Sequence, residues 1–119
     1  MAVLNLDIAQ RLDIICRKGD TFEFSFDIGD QALAQIGTWV MQVRPSEDND
    51  TGDPVLQTES SVTGSVITMS VHATTGTYNM TNIDAGLYVY DVELYNSDDN
   101  SRKTYLYGTF KVNDDITFQ

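Results

Sequence analysis

The sequence predicts an all-β domain: a sandwich of two packed sheets with about seven antiparallel strands and no disulfide. Three observations predict it. The stretch Asp84-Ala85-Gly86-Leu87-Tyr88-Val89-Tyr90 fits Asp-x-Gly-x-Tyr-x-(buried residue), the pattern of a tyrosine corner. Several runs alternate apolar and polar residues with period two, while helical periodicity is nearly absent. Large aromatic residues recur on the apolar faces of separate runs, with Phe24, Trp39 and Tyr90 the central three.

The corner has a physical basis. Asp84 can cap the preceding turn, and Gly86 permits a backbone angle that other residues resist. Tyr88 then lays an apolar ring on the core while its hydroxyl reaches a backbone group upstream. From there Tyr88, Tyr90, Val92 and Leu94 alternate with Val89, Asp91, Glu93 and Tyr95, the period of a half-buried strand. A corner at the head of such a strand, with an aromatic trio at the Cys…Trp…Cys positions, describes an immunoglobulin-like sandwich. Phe24 and Tyr90 stand where cysteines would be, so packing must hold the core. The expected structural core is Phe24, Trp39, Tyr88 and Tyr90.

Taken in order, residues 1–11 read as an N-terminal arm and residues 12–119 as the sandwich domain. In the arm, Leu4, Leu6 and Ile8 alternate with Asn5 and Asp7, as in a strand; a short helix is the other reading. Such an arm can fold onto its own sheet edge or contact another chain, which makes Leu4, Leu6 and Ile8 candidate interface residues. Leu12 to Cys16 is the first strand, and Arg17-Lys18-Gly19-Asp20 a turn. Thr21 to Ile28 carries Phe22, Phe24, Phe26 and Ile28 on one face. The next connection has room for one helical turn that tucks Leu33 and Ile36 under the sandwich. Thr38 to Arg44 presents Trp39, Met41 and Val43 inward. After a polar loop come a short strand at Val55 to Glu59, a turn at Gly64, and a strand from Val66 to His72 with Ile67, Met69 and Val71 inside. Tyr78 and Met80 are expected to pack back. Ser97 to Ser101 is a hairpin loop, and Arg102 to Asn113 the last strand, with Leu106, Gly108, Phe110 and Val112 in and Tyr105, Tyr107, Thr109 and Lys111 out.

Composition bounds the function. The 119 residues suit one domain, with a net charge of −11 from 7 basic and 18 acidic residues. That balance disfavours nucleic acid and anionic membranes as partners. It suits a basic or neutral protein surface. No apolar stretch approaches a membrane span, and the start of the sequence has no basic-then-apolar signal pattern, so synthesis in a cytoplasm is expected. A lone cysteine, Cys16, excludes an internal disulfide and reads as a core thiol.

No constellation argues for catalysis. Glu47 to Asp53 loosely echoes a calcium loop, but Thr58 stands where the twelfth-position glutamate belongs, so a solvated hairpin is the reading. Asp98-Asp99-Asn100 and Asp114-Asp115 read the same way. His72 is the only histidine and has no nucleophile pattern beside it. The expectation is no enzyme, no catalytic residue, no metal and no cofactor. Tyr95, Tyr105 and Tyr107 are a candidate outward stripe, with Leu87 and Val89 beside it; it is either an interface or cross-strand packing.

Arg17-x-Gly-Asp-Thr-Phe-x-Phe, Trp39-x-Met-Gln-Val-Arg44, Gly86-x-Tyr-x-Tyr-Asp-Val-Glu-Leu94, Leu106-x-Gly-Thr-Phe-x-Val112 and Asp115-Ile116-Thr117 together resemble small immunoglobulin-like structural proteins of tailed bacteriophages. The resemblance runs from about residue 12 to residue 117. It implies a non-enzymatic virion component: a capsid auxiliary, head-fibre, connector or baseplate-anchor protein. Such a protein is made in the host cytoplasm and docks on other virion proteins or on sister copies of itself. The longer arm and the absence of a following fibre domain favour a stand-alone decoration or connector. A glycan- or receptor-binding adhesion module is the alternative.

Overall fold

Period-two alternation sorts the chain into two sheets whose apolar faces meet. The computed structural model describes residues 9–45 and 54–114. In these lie β1 (Gln10–Arg11), β2 (Ile14–Arg17), β3 (Phe22–Asp27), α1 (Gln31–Ala34), β4 (Thr38–Arg44), β5 (Leu56–Gln57), β6 (Glu59–Thr63), β7 (Val66–Val71), β8 (Gly86–Asn96) and β9 (Ser101–Asn113). One sheet runs β1-β9-β8-β4-β5, with β2 also on β9; the other runs β3-β7-β6. This is the strand distribution of an immunoglobulin-like sandwich. No disulfide joins the sheets; Cys16 is free.

The count differs from about seven by two short additions. β1 lies inside the stretch read as the arm; it and β2, which answers to the expected first strand, both run parallel to β9, so the sandwich is not wholly antiparallel. The short strand expected at Val55 to Glu59 appears as β5, and β6 follows from Glu59 in the other sheet. The chain changes sheets at Thr58, which is buried and donates its hydroxyl to Met69 Sδ at 3.2 Å. β6 and β7 form a hairpin turned at Gly64, whose φ of 62° suits glycine.

The tyrosine corner forms: Tyr88 Oη donates to Asp84 O at 2.6 Å. The helical turn is capped by Asp30, whose carboxylate accepts Leu33 N at 3.1 Å. It buries Ala34, with Leu33 packed against the core; Ile36 is half exposed, contrary to the expectation that it tucks under. The turn positions the tryptophan, since Trp39 Nε1 donates to Ala34 O at 2.9 Å.

The aromatic core is two clusters rather than one triangle. Toward one end Phe26 meets Trp39 edge to face at 5.7 Å between centroids, and Trp39 meets Tyr105 at 5.2 Å. Toward the other, Phe22 meets Phe110 at 5.3 Å and Tyr90 meets Phe110 at 6.4 Å. Phe24 leans on Phe26 at 5.6 Å and is only half-buried. The expected direct meeting of Phe24, Trp39 and Tyr90 is therefore corrected. Phe24 faces inward from a strand at the border of its sheet, where one flank of the ring has no neighbouring strand among the described residues. Tyr90 sits over Gly108, its partner on β9, and its hydroxyl donates to Leu12 O. A Cβ at Gly108 would collide with that same carbonyl, so glycine lets the first strand close over the core.

Candidate docking surface

Side chains of β8 and β9 that do not enter the core stand on the outer face of the six-stranded sheet. Pairing sets them in rows. Ile15, Lys111 and Leu87 form one row across β2, β9 and β8. Thr109, Val89 and Arg44 form the next, and Arg11, Tyr107, Asp91 and Gln42 the one after. Ile15 is 68% exposed and Leu87 64%, so the first row is a pair of bare apolar side chains flanking a lysine.

The polar rows are internally bonded. Arg44 Nη2 donates to Gln42 Oε1 at 2.9 Å, and Gln42 Nε2 to Gln57 Oε1 at 2.9 Å. Burial pushes the Asp91 carboxyl above its ordinary range, Glu93 adds to this, and Arg44 opposes it. Asp13, beside Thr109, lies below the ordinary range because its carboxylate accepts Thr109 N at 3.0 Å.

The tyrosines do not form the expected stripe. A β-bulge at Val92/Glu93 pairs Val92 with Leu106 but Glu93 with Thr104, leaving Tyr105 as the extra residue. The bulge reverses parity along β9, so Tyr105 turns into the core beside Trp39, 3% exposed. Its assignment as an outward interface residue is corrected. Tyr107 is outward and 43% exposed. Tyr95 shares that face four residues further along the neighbouring strand, about 13 Å away at strand rise. Its hydroxyl donates to Asn100 Oδ1 at 3.1 Å, with the Arg102 guanidinium 4.8 Å from its ring centroid. The charged side chains of Asp91 and Glu93 separate the two tyrosines. Leu4, Leu6 and Ile8 lie outside the described residues, as do residues 46–53 and Asp115.

Elsewhere, a cleft of about 340 Å³ opens where β5, β6 and β7 meet the loop after β7. It is lined by Gln57, Glu59, His72, Thr75, Thr77 and Tyr78, among others. His72 Nε2 lies 3.2 Å from Glu59 Oε2, and both side chains are well exposed. Tyr78 and Met80 pack against the core from this loop. The Cys16 thiol is pushed up to about 11 by burial, with Asp20 adding to it, which makes a weak nucleophile. Among the described residues no group of three His, Cys, Asp or Glu side chains could hold a metal ion. No helix there is long and apolar enough to cross a membrane.

Sequence reasoning missed Ile15 and the cleft. An isoleucine at an outward strand position was a readable signal for the first. The cleft joins segments far apart in the chain and left no sequence signal.

No protein-family model matches this sequence, and no curated protein matches it. Similar solved structures include CopC from Methylosinus trichosporium OB3b, 11% identical with a TM-score of 0.46, covering 93% of this chain and 89% of that one. Listeria monocytogenes InlP is 16% identical with a TM-score of 0.44, covering 90% of this chain. This chain spans 28% of InlP. Likenesses at this level carry no argument about activity or ligand.

Proposed function

We propose that this chain is a non-enzymatic structural component of a tailed-bacteriophage particle, a capsid auxiliary, connector or tail-baseplate protein that works by docking on other proteins. The virion setting comes from the sequence resemblance. The docking role rests on one observation: Ile15 and Leu87 stand bare on either side of Lys111 on an ordered sheet face. Burying apolar side chains of this size on a partner is worth about 1.5–3 kcal/mol each. A lysine between them gives an otherwise acidic chain one local point of attachment for a carboxylate. Immunodetection of the chain in purified particles tests the setting. Leu87→Asp and Ile15→Asp test the face: both variants should fold and fail to enter particles. Full incorporation of the double variant would sink the role given to this face.

A second reading, a glycan- or receptor-binding module on the particle, is favoured by the cleft. It offers a tyrosine, three threonines, an amide and a histidine–carboxylate pair. A glycan array separates the readings. Binding lost in Thr75→Ala and Thr77→Ala, whose side chains are exposed in the cleft, supports adhesion, whereas Tyr105→Ala disturbs the core and reports nothing on ligands.

A further inference from the structure

Among the described residues the three-stranded sheet ends at β3, and two features describe what that edge lacks. The first is hydrogen bonding. Ile28 N donates to Ser65 O at 3.1 Å, and the register continues through Phe26↔Ile67, Phe24↔Met69 and Phe22↔Val71. Alternate residues of an antiparallel pair turn their backbone groups to the partner, so these phenylalanines bond to β7. The N–H and C=O groups of Glu23, Ser25 and Asp27 therefore point away from the sheet, ready to template another strand. No proline or lysine interrupts β3. The second feature is packing. Phe24 faces inward between Phe22, 7% exposed, and Phe26, fully buried, yet is itself half-buried. Its open flank is where a further strand would lay its side chains.

We propose that residues 2–8 of a second copy of this chain add to β3 as a fourth strand and cover Phe24 with Leu4, Leu6 and Ile8. These residues alternate as a strand with one apolar face, and Asp7 is their only charge, so they approach an acidic neighbour with little repulsion. Geometry favours the sister copy over the chain's own segment. β1 and β2 run straight beside β9, with Gln10 opposite Leu106 and Ile14 opposite Phe110. Phe22 packs on Phe110, while Phe26 packs on Trp39, which touches Tyr105. Gln10 is therefore level with Phe26, and a straight continuation before it runs past the end of β3 rather than alongside Phe24. Strand addition at an edge is an established recognition mode: the backbone supplies affinity and alternate side chains supply specificity.

This inference rests on the docking reading above, and its test separates the two. The mass in solution of the full chain is measured by light scattering beside a variant lacking residues 2–8 and beside Glu23→Pro. Proline at Glu23 removes an outward N–H and leaves the β7 ladder intact. The full chain is expected to show at least a doubling of mass, and both variants to be folded monomers by circular dichroism. A peptide of residues 2–8 added to the truncated chain should shift the Phe24 ring resonances and should leave those of Glu23→Pro lacking the same residues unmoved. A monomeric full chain, or an oligomer that survives both changes, overturns the inference. A monomer that still enters particles ends this inference and leaves the docking reading standing; an oligomer built through β3 that never enters particles does the reverse.

Discussion

The two sheets obey the same alternation rule and come out differently. The six-stranded sheet has its long strands β8 and β9 at its centre, flanked by β4, β1 and β2, and its inward residues Tyr90, Val92, Leu106 and Phe110 are all buried. The three-stranded sheet puts β7 at its centre, and there Ile67, Met69 and Val71 are buried as well. At its β3 border the same inward parity leaves Phe24 half covered. Parity decides which way a side chain points; what packs on it decides how much water it loses, since Phe22 and Phe26 on the same border strand are covered by Phe110 and Trp39 and are buried. Among the described residues β3 has one strand neighbour, β7, and its Phe24 ring is half covered.

The largest expected effects test the enclosed core between the sheets. Trp39→Ala and Phe26→Ala each empty a fully enclosed aromatic site and should cost about 3–5 kcal/mol, read as a lowered urea midpoint. Phe24→Ala should cost about half as much in a chain lacking residues 2–8, because part of that ring is already in water. Equal losses at Phe24 and Phe26 would break the contrast between a covered and a half-covered ring on the same strand. Next come the two tyrosine hydroxyls. Tyr88→Phe removes the corner bond to Asp84 O, and Tyr90→Phe the bond to Leu12 O. Each should cost about 1 kcal/mol, the Tyr90 loss being the larger because it strands a carbonyl under a closed strand.

Smaller effects belong to the outer face. The Asp91 pKa is raised in the fold, so the folded state holds that proton more tightly than the unfolded chain does. Its contribution to stability is therefore full at acid pH and is lost as pH rises from the ordinary carboxylate value through the raised one of the fold. Asp91→Asn should raise Tm slightly at neutral pH, with the gain vanishing at acid pH; partial solvent exposure keeps the effect small. Leu87→Ser and Ile15→Ser should change stability by no more than about 0.5 kcal/mol in thermal melts. A marked stabilisation by either would mark their exposure as a liability of the free chain.

The elements that the sequence made legible are those with one apolar and one polar face. β3, β4, β7, β8 and β9 could be read from Phe22 and Phe26, Trp39 and Met41, Ile67 and Met69, Tyr90 and Val92, and Phe110 and Val112. β6 could not, because Glu59-Ser60-Ser61-Val62-Thr63 shows almost no apolar face to count. The inward turn of Tyr105 could not be read either. A single extra residue in β9 reverses parity, and nothing in Thr104-Tyr105-Leu106 announces it. The aromatic residues were rightly expected to matter to the core, but their partners were misjudged, since spacing along the chain says nothing about depth across a border strand. Of the candidate surface, Tyr95, Tyr107 and Leu87 were legible as outward residues. The row that joins Leu87 to Ile15 depends on the parallel pairing of β2 with β9, which only the structure supplies.

Completion of the three-stranded sheet by another chain is read most directly by residue-resolved amide hydrogen exchange. The amides of Glu23, Ser25 and Asp27 should be protected in the full chain and exchange freely once residues 2–8 are removed, while Tyr90 and Val92 keep their protection in both. Free exchange at Glu23, Ser25 and Asp27 in the full chain, at a concentration where it is oligomeric, would contradict it.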